Sequence, residues 1–254
     1  MLRLIKEITG YHIRGINGDI GKVKDLIFDE RNTAIRYLVA DVGKFILEKD
    51  VLISTVSLNE PEWSSKTVPV NLNTEQIREA PGIDSHQTVS RQHEIEIHEV
   101  YGWPIYWAVP GADDEFYARQ GLNPEVVVKD EKAEEAEQKE TFLRSFNEIT
   151  GYSVKSGDEA VGEVKDMVMD DITWKIRYFV IEAGKFLNKR DFIVSPDWID
   201  SYDWGESSVS VNVDSEKIKE CPEFNPSEPI NRKYEKILYD YYGRPKYWEH
   251  YKNQ

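Results

Sequence analysis

Ile8-Thr9-Gly10-Tyr11 returns as Ile149-Thr150-Gly151-Tyr152. The same offset of 141 residues aligns Tyr101-Gly102 with Tyr242-Gly243 and Tyr106-Trp107 with Tyr247-Trp248. With no gap anywhere, residues 1–113 and 142–254 share 36 identities in 113 positions, against the roughly 6 to 7 that chance would give. The chain is therefore a duplication, and whatever one copy folds into must be achievable twice. The repeat predicts one domain over residues 1–110 and a second over 142–254. Between them, residues 111–141 carry ten acids and four bases, and their Ala/Glu/Lys-rich second half reads as an acidic, partly helical linker.

Composition narrows what such domains can do. Of 254 residues, 40% are hydrophobic and 31% charged, which suits globular domains rather than disordered or fibrous chains. The formal net charge of −15 sets up a field that repels phosphate backbones and anionic lipid, so nucleic acid is not an expected partner. Cys221 is alone, which excludes a disulfide within the chain and a thiolate zinc cage. Met1-Leu2-Arg3-Leu4-Ile5-Lys6 lacks the apolar core of a signal peptide, and no stretch approaches the roughly 20 apolar residues of a membrane span. These features lead to the expectation of a cytoplasmic protein without membrane insertion.

Within the first copy, Tyr11 to Arg14, Ile20 to Asp29, Ile35 to Val42, Val51 to Ser54 and Thr67 to Val70 read as strands. Asn17-Gly18-Asp19 and Arg31-Asn32 supply turns, and Thr74 to Glu79 reads as a short helix stopped by Pro81. Close-spaced strands with no crossover helices predict a small antiparallel barrel. Ser90 then opens a second helix through a capping pattern, and this helix runs into Tyr101-Gly102. An aromatic tail follows, Tyr101-Gly102-Trp103-Pro104-Ile105-Tyr106-Trp107, matched by Tyr242-Gly243-Arg244-Pro245-Lys246-Tyr247-Trp248. Its rings suit either a latch on the tail's own barrel or a partner-binding surface. Trp103, Tyr106, Trp107, Tyr247 and Trp248 are the candidate interaction residues.

Ile20-Gly21-Lys22-Val23-Lys24-Asp25-Leu26-Ile27-Phe28-Asp29, followed by Ile35-Arg36-Tyr37-Leu38-Val39 and Lys49-Asp50-Val51-Leu52-Ile53-Ser54, resembles the PRC-barrel family. Val161-Gly162-Glu163-Val164-Lys165-Asp166, Ile176-Arg177-Tyr178-Phe179-Val180 and Arg190-Asp191-Phe192-Ile193-Val194-Ser195-Pro196 repeat the pattern. The resemblance covers residues 1–80 and 142–221, and the tails look like those of bacterial stand-alone members. It implies a mainly β chain of two small, strongly bent barrels in tandem, each with a short C-terminal helix and aromatic tail. The family's barrel also serves in the photosynthetic reaction-centre H subunit and in a ribosome-maturation factor. The acidic balance suits neither an anionic membrane nor an RNA surface. Thr55 stands where the second copy has the family's usual proline, Pro196, which predicts a looser strand exit.

Asp25, Asp29 and Glu30 recur as Asp166, Asp170 and Asp171, and Arg36 recurs as Arg177. Strand alternation suggests partly exposed cross-strand ion pairs, worth about 0.2 to 1 kcal/mol each, or turn capping, in preference to a cation site or catalytic carboxylates. His93 and His98 are five apart and become Tyr234 and Tyr239 in the second copy, so they predict no metal. Cys221 reads as a small core filler. No catalytic residue, metal or cofactor is expected. Ile35, Tyr37 and Val39 alternate with Leu38, Ala40 and Val42, so both faces of that strand are apolar, and either the copy's own tail or the other barrel must cover the outer one. The composite expectation is a non-enzymatic interaction or adaptor protein with an unidentified protein partner; self-association and packing of one barrel on the other both stay open. The alternatives are an RNA- or ribosome-associated maturation factor and a metal-dependent enzyme using the repeated carboxylates.

Overall fold

The computed structural model describes residues 1–43, 49–83, 89–107, 142–184 and 189–252; the expected acidic linker, 111–141, lies outside the described residues. The N-terminal barrel is built on β2 (His12–Arg14), β3 (Asp19–Asp29), β4 (Ile35–Asp41), β5 (Asp50–Ser54) and β6 (Thr67–Pro69), in the spatial order β5-β4-β3-β2-β6. The C-terminal barrel uses β8 (Ser153–Ser156), β9 (Glu159–Asp170), β10 (Lys175–Ala183), β11 (Arg190–Val194), β12 (Ile199–Asp203) and β13 (Ser208–Val211), in the order β11-β10-β9-β8-β13-β12. Each sheet departs from the antiparallel expectation once, because β2 runs parallel to β6 and β8 parallel to β13. β12 has no full counterpart in the first copy, where only the isolated bridges Leu58↔Val70 and Glu62↔Thr67 form.

Close approach of the central strands depends on a glycine in each copy. A Cβ on Gly21 would lie 2.0 Å from the carbonyl oxygen of Asp41, and one on Gly162 would lie 2.6 Å from that of Glu182. Register shifts between Val23 and Asp25 and between Ile27 and Phe28 mark bulges that bend β3. Ser54 and Ser195 cap the 3-10 turns Thr55–Ser57 and Pro196–Trp198 in the same way. The serine makes this turn in both copies, with the proline or without it.

Two strands that the sequence reading did not include change how the domains are built. β1 (Leu2–Leu4) lies antiparallel on β9 of the C-terminal barrel, pairing Leu2↔Asp170, Arg3↔Met169 and Leu4↔Val168. β7 (Leu143–Ser145) lies on β3 of the N-terminal barrel, pairing Leu143↔Asp29, Arg144↔Phe28 and Ser145↔Ile27. Under the 141-residue offset the two registers are identical. One compact unit accordingly contains residues 1–7, 149–170 and 176 onward, and the other contains the rest. The units thus differ from the expected 1–110 and 142–254 division by an exchange of short leading segments and by residues 171–175, which join the first copy's barrel through the bridge Ala34↔Lys175.

Each inserted strand continues into a one-turn helix, Ile5–Ile8 or Phe146–Ile149, and these bury Ile5, Ile8, Phe146 and Ile149 to 1% exposure or less. A repeated aspartate in the bulged strand fastens each segment. Asp166 accepts the Lys6 backbone N–H at 3.3 Å, and Asp25 accepts that of Asn147 at 3.1 Å as well as the Ser145 hydroxyl. Deleting residues 1–7 should therefore speed amide exchange at Val168–Asp170 while Ile27–Asp29 stays protected. Loss of protection at 27–29 instead would refute the exchanged arrangement.

Candidate functional site

The helix Arg91–Tyr101 is capped by Ser90, whose side chain accepts the His93 N–H, and closed by Gly102 at φ 67°. Its sister Arg232–Tyr242 is capped by Asn231 and closed by Gly243 at φ 64°. The residues Glu94, Ile97 and His98 are buried and Tyr101 half-buried, one stripe at helical spacing; in the second copy Glu235, Leu238, Tyr239 and Tyr242 form it. A glutamate at the head of such a stripe must be supplied with donors, since an unpaired buried carboxylate is costly.

Glu94, at 0% exposure, is surrounded by them. Its Oε1 accepts the hydroxyls of Tyr37 from β4 at 2.8 Å and of Tyr106 from the tail at 2.6 Å, and its Oε2 takes Arg91 at 2.6 Å. The second copy repeats every member: Glu235 accepts Tyr178 at 2.7 Å and Tyr247 at 2.8 Å, and Arg232 stands at 3.0 Å. One carboxylate thus ties barrel strand, helix and tail together. Burial pushes the Glu94 carboxyl up, against the pull of Arg91 and the two phenols, and drives Tyr37 and Tyr106 well above the usual phenol range. Tyr247 is pushed up to about 12 by the same burial beside Glu235.

Arginines complete the clamp from the ring faces. Arg36 lies 4.0 Å from the centre of the Tyr106 ring and Arg91 lies 4.2 Å from Trp107; Arg177 and Arg232 repeat this over Tyr247 and Trp248 at 4.8 and 4.2 Å. The repeated carboxylates, in contrast, do not gather. Asp29 is held chiefly by Arg31 at 2.7 Å, with Arg36 at 3.9 Å, and Asp170 faces Arg177 at 3.7 Å. Asp25 and Asp166 serve the inserted segments, and in β3 the bulge between Ile27 and Phe28 breaks the alternation that would have aligned Asp25 with Asp29. Glu30 pairs with Arg144 at 3.0 Å, and Asp171 is buried. The expected partly exposed ion pair is corrected in the first copy, where the Arg36 side chain is only 4% exposed, whereas Arg177 and Asp170 are 11% and 23% exposed.

Of the candidate interaction residues, Trp103 is buried, while Tyr106, Trp107, Tyr247 and Trp248 are half-buried against their own helix and barrel. The tail and helix also cover the outer face of β4, where Tyr37 is fully buried. Trp103 stacks on Tyr101 at 4.1 Å, meets His98 at 5.7 Å, and donates its indole N–H to Ser57 at 2.7 Å. The second copy has Arg244 at that tail position, which turns to the carbonyl of Asn212, and fills the slot from the barrel side with Trp198, 5.2 Å from Tyr239 and 4.9 Å from Tyr242.

His98 differs from its counterpart Tyr239 in carrying a side chain whose ordinary pKa lies near neutral pH. Tyr37 spends its proton on Glu94, so the imidazole Nε2 at 2.8 Å donates to the phenol oxygen. Burial lowers the His98 pKa to about 4. His93 is half-buried and also lowered by burial, with Glu96 at 3.9 Å. Cys221 is buried, its thiol pushed up by that burial, beside Arg190, which bonds the Ile218 and Cys221 carbonyls at a helix end. Among the described residues no three His, Cys, Asp or Glu side chains form a group able to hold a metal.

The glutamate pin was absent from the sequence reading, although a signal existed. Arg91, Glu94, Tyr37 and Tyr106 are all identical between copies, and Glu94 heads an i, i+3, i+4, i+7 stripe with Ile97, His98 and Tyr101.

A profile of the PRC-barrel domain matches residues 2–69 and 143–218, more than half of the chain. Both matches begin in a strand, β1 or β7, that the other copy's barrel receives. A search of curated proteins gives no significant match.

Two tests follow from the geometry. Glu94→Ala and Arg36→Ala should each cost about 3 to 5 kcal/mol in urea unfolding, as expected when one member of a buried charged group is removed; a loss under about 1 kcal/mol would show that the cluster is solvated. For His98, the folded pKa of about 4 lies below the unfolded 6.5, so the native state binds fewer protons in between. Its stabilising contribution is complete above pH 6.5 and is lost as pH falls through 4. The melting temperature of wild type should thus fall relative to His98→Tyr between pH 6.5 and 4, and parallel curves would contradict this.

Proposed function

The chain belongs to the PRC-barrel family, and on that premise we propose that it is a non-enzymatic, cytoplasmic interaction or adaptor protein whose partner contact is the outward side of its two helix-and-tail segments. The observation that carries this reading is the pin beneath the tail. Tyr106 and Tyr247 are anchored through their hydroxyls to Glu94 and Glu235, and the buried Arg91 and the exposed Arg232 brace the neighbouring indoles, so large aromatic rings are held at the surface with their rotamers already chosen. Rings fixed in advance lose little entropy on binding, which is the condition under which Trp and Tyr make strong anchors.

The interior chemistry supports the same reading. Glu94, Glu235, Asp25 and Asp166 each hold backbone or side-chain donors of their own unit, which leaves these buried carboxylates occupied with architecture. No helix of the described residues is long and apolar enough to cross a membrane. The net charge of −15 favours a neutral or basic protein surface as the partner and disfavours RNA.

Capture experiments with the full chain as bait provide the test. The double variant Trp107→Ala/Trp248→Ala removes two half-buried indoles but keeps both glutamate pins, so it should retain its fold and lose the bound protein. A captured set unchanged by the double variant would exclude the tails as the contact.

A further inference from the structure

The strongest unexplained feature of the molecule is that each barrel is completed by a strand from the other repeat. The two acceptor slots match in detail. The three-residue ladders have the same register under the repeat offset. The aspartate that fastens the incoming backbone, Asp166 or Asp25, also accepts the N–H of its own next residue, Met167 or Leu26. A side chain of the incoming segment reaches the carbonyl beside each aspartate: Lys6 bonds that of Lys165, and Asn147 bonds that of Lys24. The incoming segments share Leu2/Leu143, Arg3/Arg144, Glu7/Glu148 and Ile8/Ile149. Where they differ, Ile5 and Phe146 are both apolar and both buried, Lys6 and Asn147 reach equivalent carbonyls, and Ser145, which bonds Asp25, stands where the other segment has Leu4.

The ladder and the backbone clamp do not depend on which repeat supplies the strand; only the Ser145 hydroxyl on Asp25 is particular to one donor. Backbone ladders are indifferent to the donor, and the clamp reads a backbone N–H. We propose that each slot is a general acceptor for this segment, and that the partner it takes in trans is a second copy of the chain, whose residues 1–7 enter the β9 slot to give a strand-exchanged dimer. The inference stands on the ladders and not on the aromatic tails, so it holds or falls independently of the adaptor reading.

The physics also states when the dimer forms. A strand on the same chain competes at an effective concentration in the millimolar range, so folding of dilute chains closes each slot internally. When chains fold together at high concentration, the slot of one molecule meets the strand of another. Once seated, the strand must break its ladder and uncover Ile5 before it can leave, so the exchanged dimer persists on dilution.

The parent chain should be unfolded, refolded at low and at near-millimolar concentration, and measured by light scattering after dilution. A dimer fraction that grows with refolding concentration, survives dilution and disappears only after renewed unfolding is expected; monomer alone at every concentration overturns the proposal. Mapping uses two full-length chains, Leu2→Cys and Asp170→Cys, each carrying Cys221→Ser, refolded together and oxidised. A two-chain product linked through positions 2 and 170 is expected, and it should be absent when the chains are folded apart and then mixed. A dimer that lacks this link, while a single chain bearing both cysteines forms it internally, would place the dimer contact elsewhere and also overturn the proposal.

Discussion

A carboxylate shut away from water must be met by donors, and in this protein that requirement joins three pieces of chain that have little else in common. Glu94 faces a phenol from the barrel, a phenol from the tail and a guanidinium from its own helix; Glu235 faces the same three. The helix alone has too few turns to be stable in water. The tail has no ladder to join. Both acquire fixed positions because the glutamate would otherwise be buried without partners, and the arginines stacked on Tyr106 and Tyr247 depend on those positions in turn. The pin therefore sets where the surface aromatics stand.

A second buried acid, the Asp25/Asp166 pair, governs assembly of the sheets. Burial raises both pKa values, to about 6 for Asp166. A raised carboxylate pKa means that the native state gives up stability at neutral pH in order to keep the charge, and the hydrogen bonds to the incoming segment offset part of that cost. A neutral side chain would avoid the cost, yet the ionised oxygens bind backbone N–H groups more strongly than an amide oxygen does.

Much of this architecture was legible in the residues. The strand boundaries around Ile20 to Asp29 and Ile35 to Val42, the short helix at Thr74 to Glu79 and the Ser90 cap all rest on local chemistry, namely alternation, turn residues and capping oxygens, which a sequence displays directly. The exchange of leading strands does not. Leu2-Arg3 and Leu143-Arg144 are the same dipeptide, so each fits either barrel, and duplication itself erases the information that would assign donor to acceptor. The carboxylates illustrate a different obstacle. Pairing Asp25 with Asp29 assumes unbroken alternation, which the bulge between Ile27 and Phe28 interrupts. The burial of Arg36 depends on a tail some seventy residues away along the chain. Glu94 stood in view as an acid kept in both copies at the head of a helical stripe, but its meaning required knowing that Tyr37 and Tyr106 converge on it.

One indole fills the space beside the helix in each barrel, entering from the tail as Trp103 in one and from the wall as Trp198 in the other. The positions are coupled: Ser57 makes room for Trp103, and Arg244 leaves room for Trp198. A genetic crossover between the repeats falling between these two positions would assemble a barrel with two tryptophans competing for one space, or with none to fill it. The duplicate halves are thereby shielded from being homogenised against each other, and their divergence at these sites is self-maintaining.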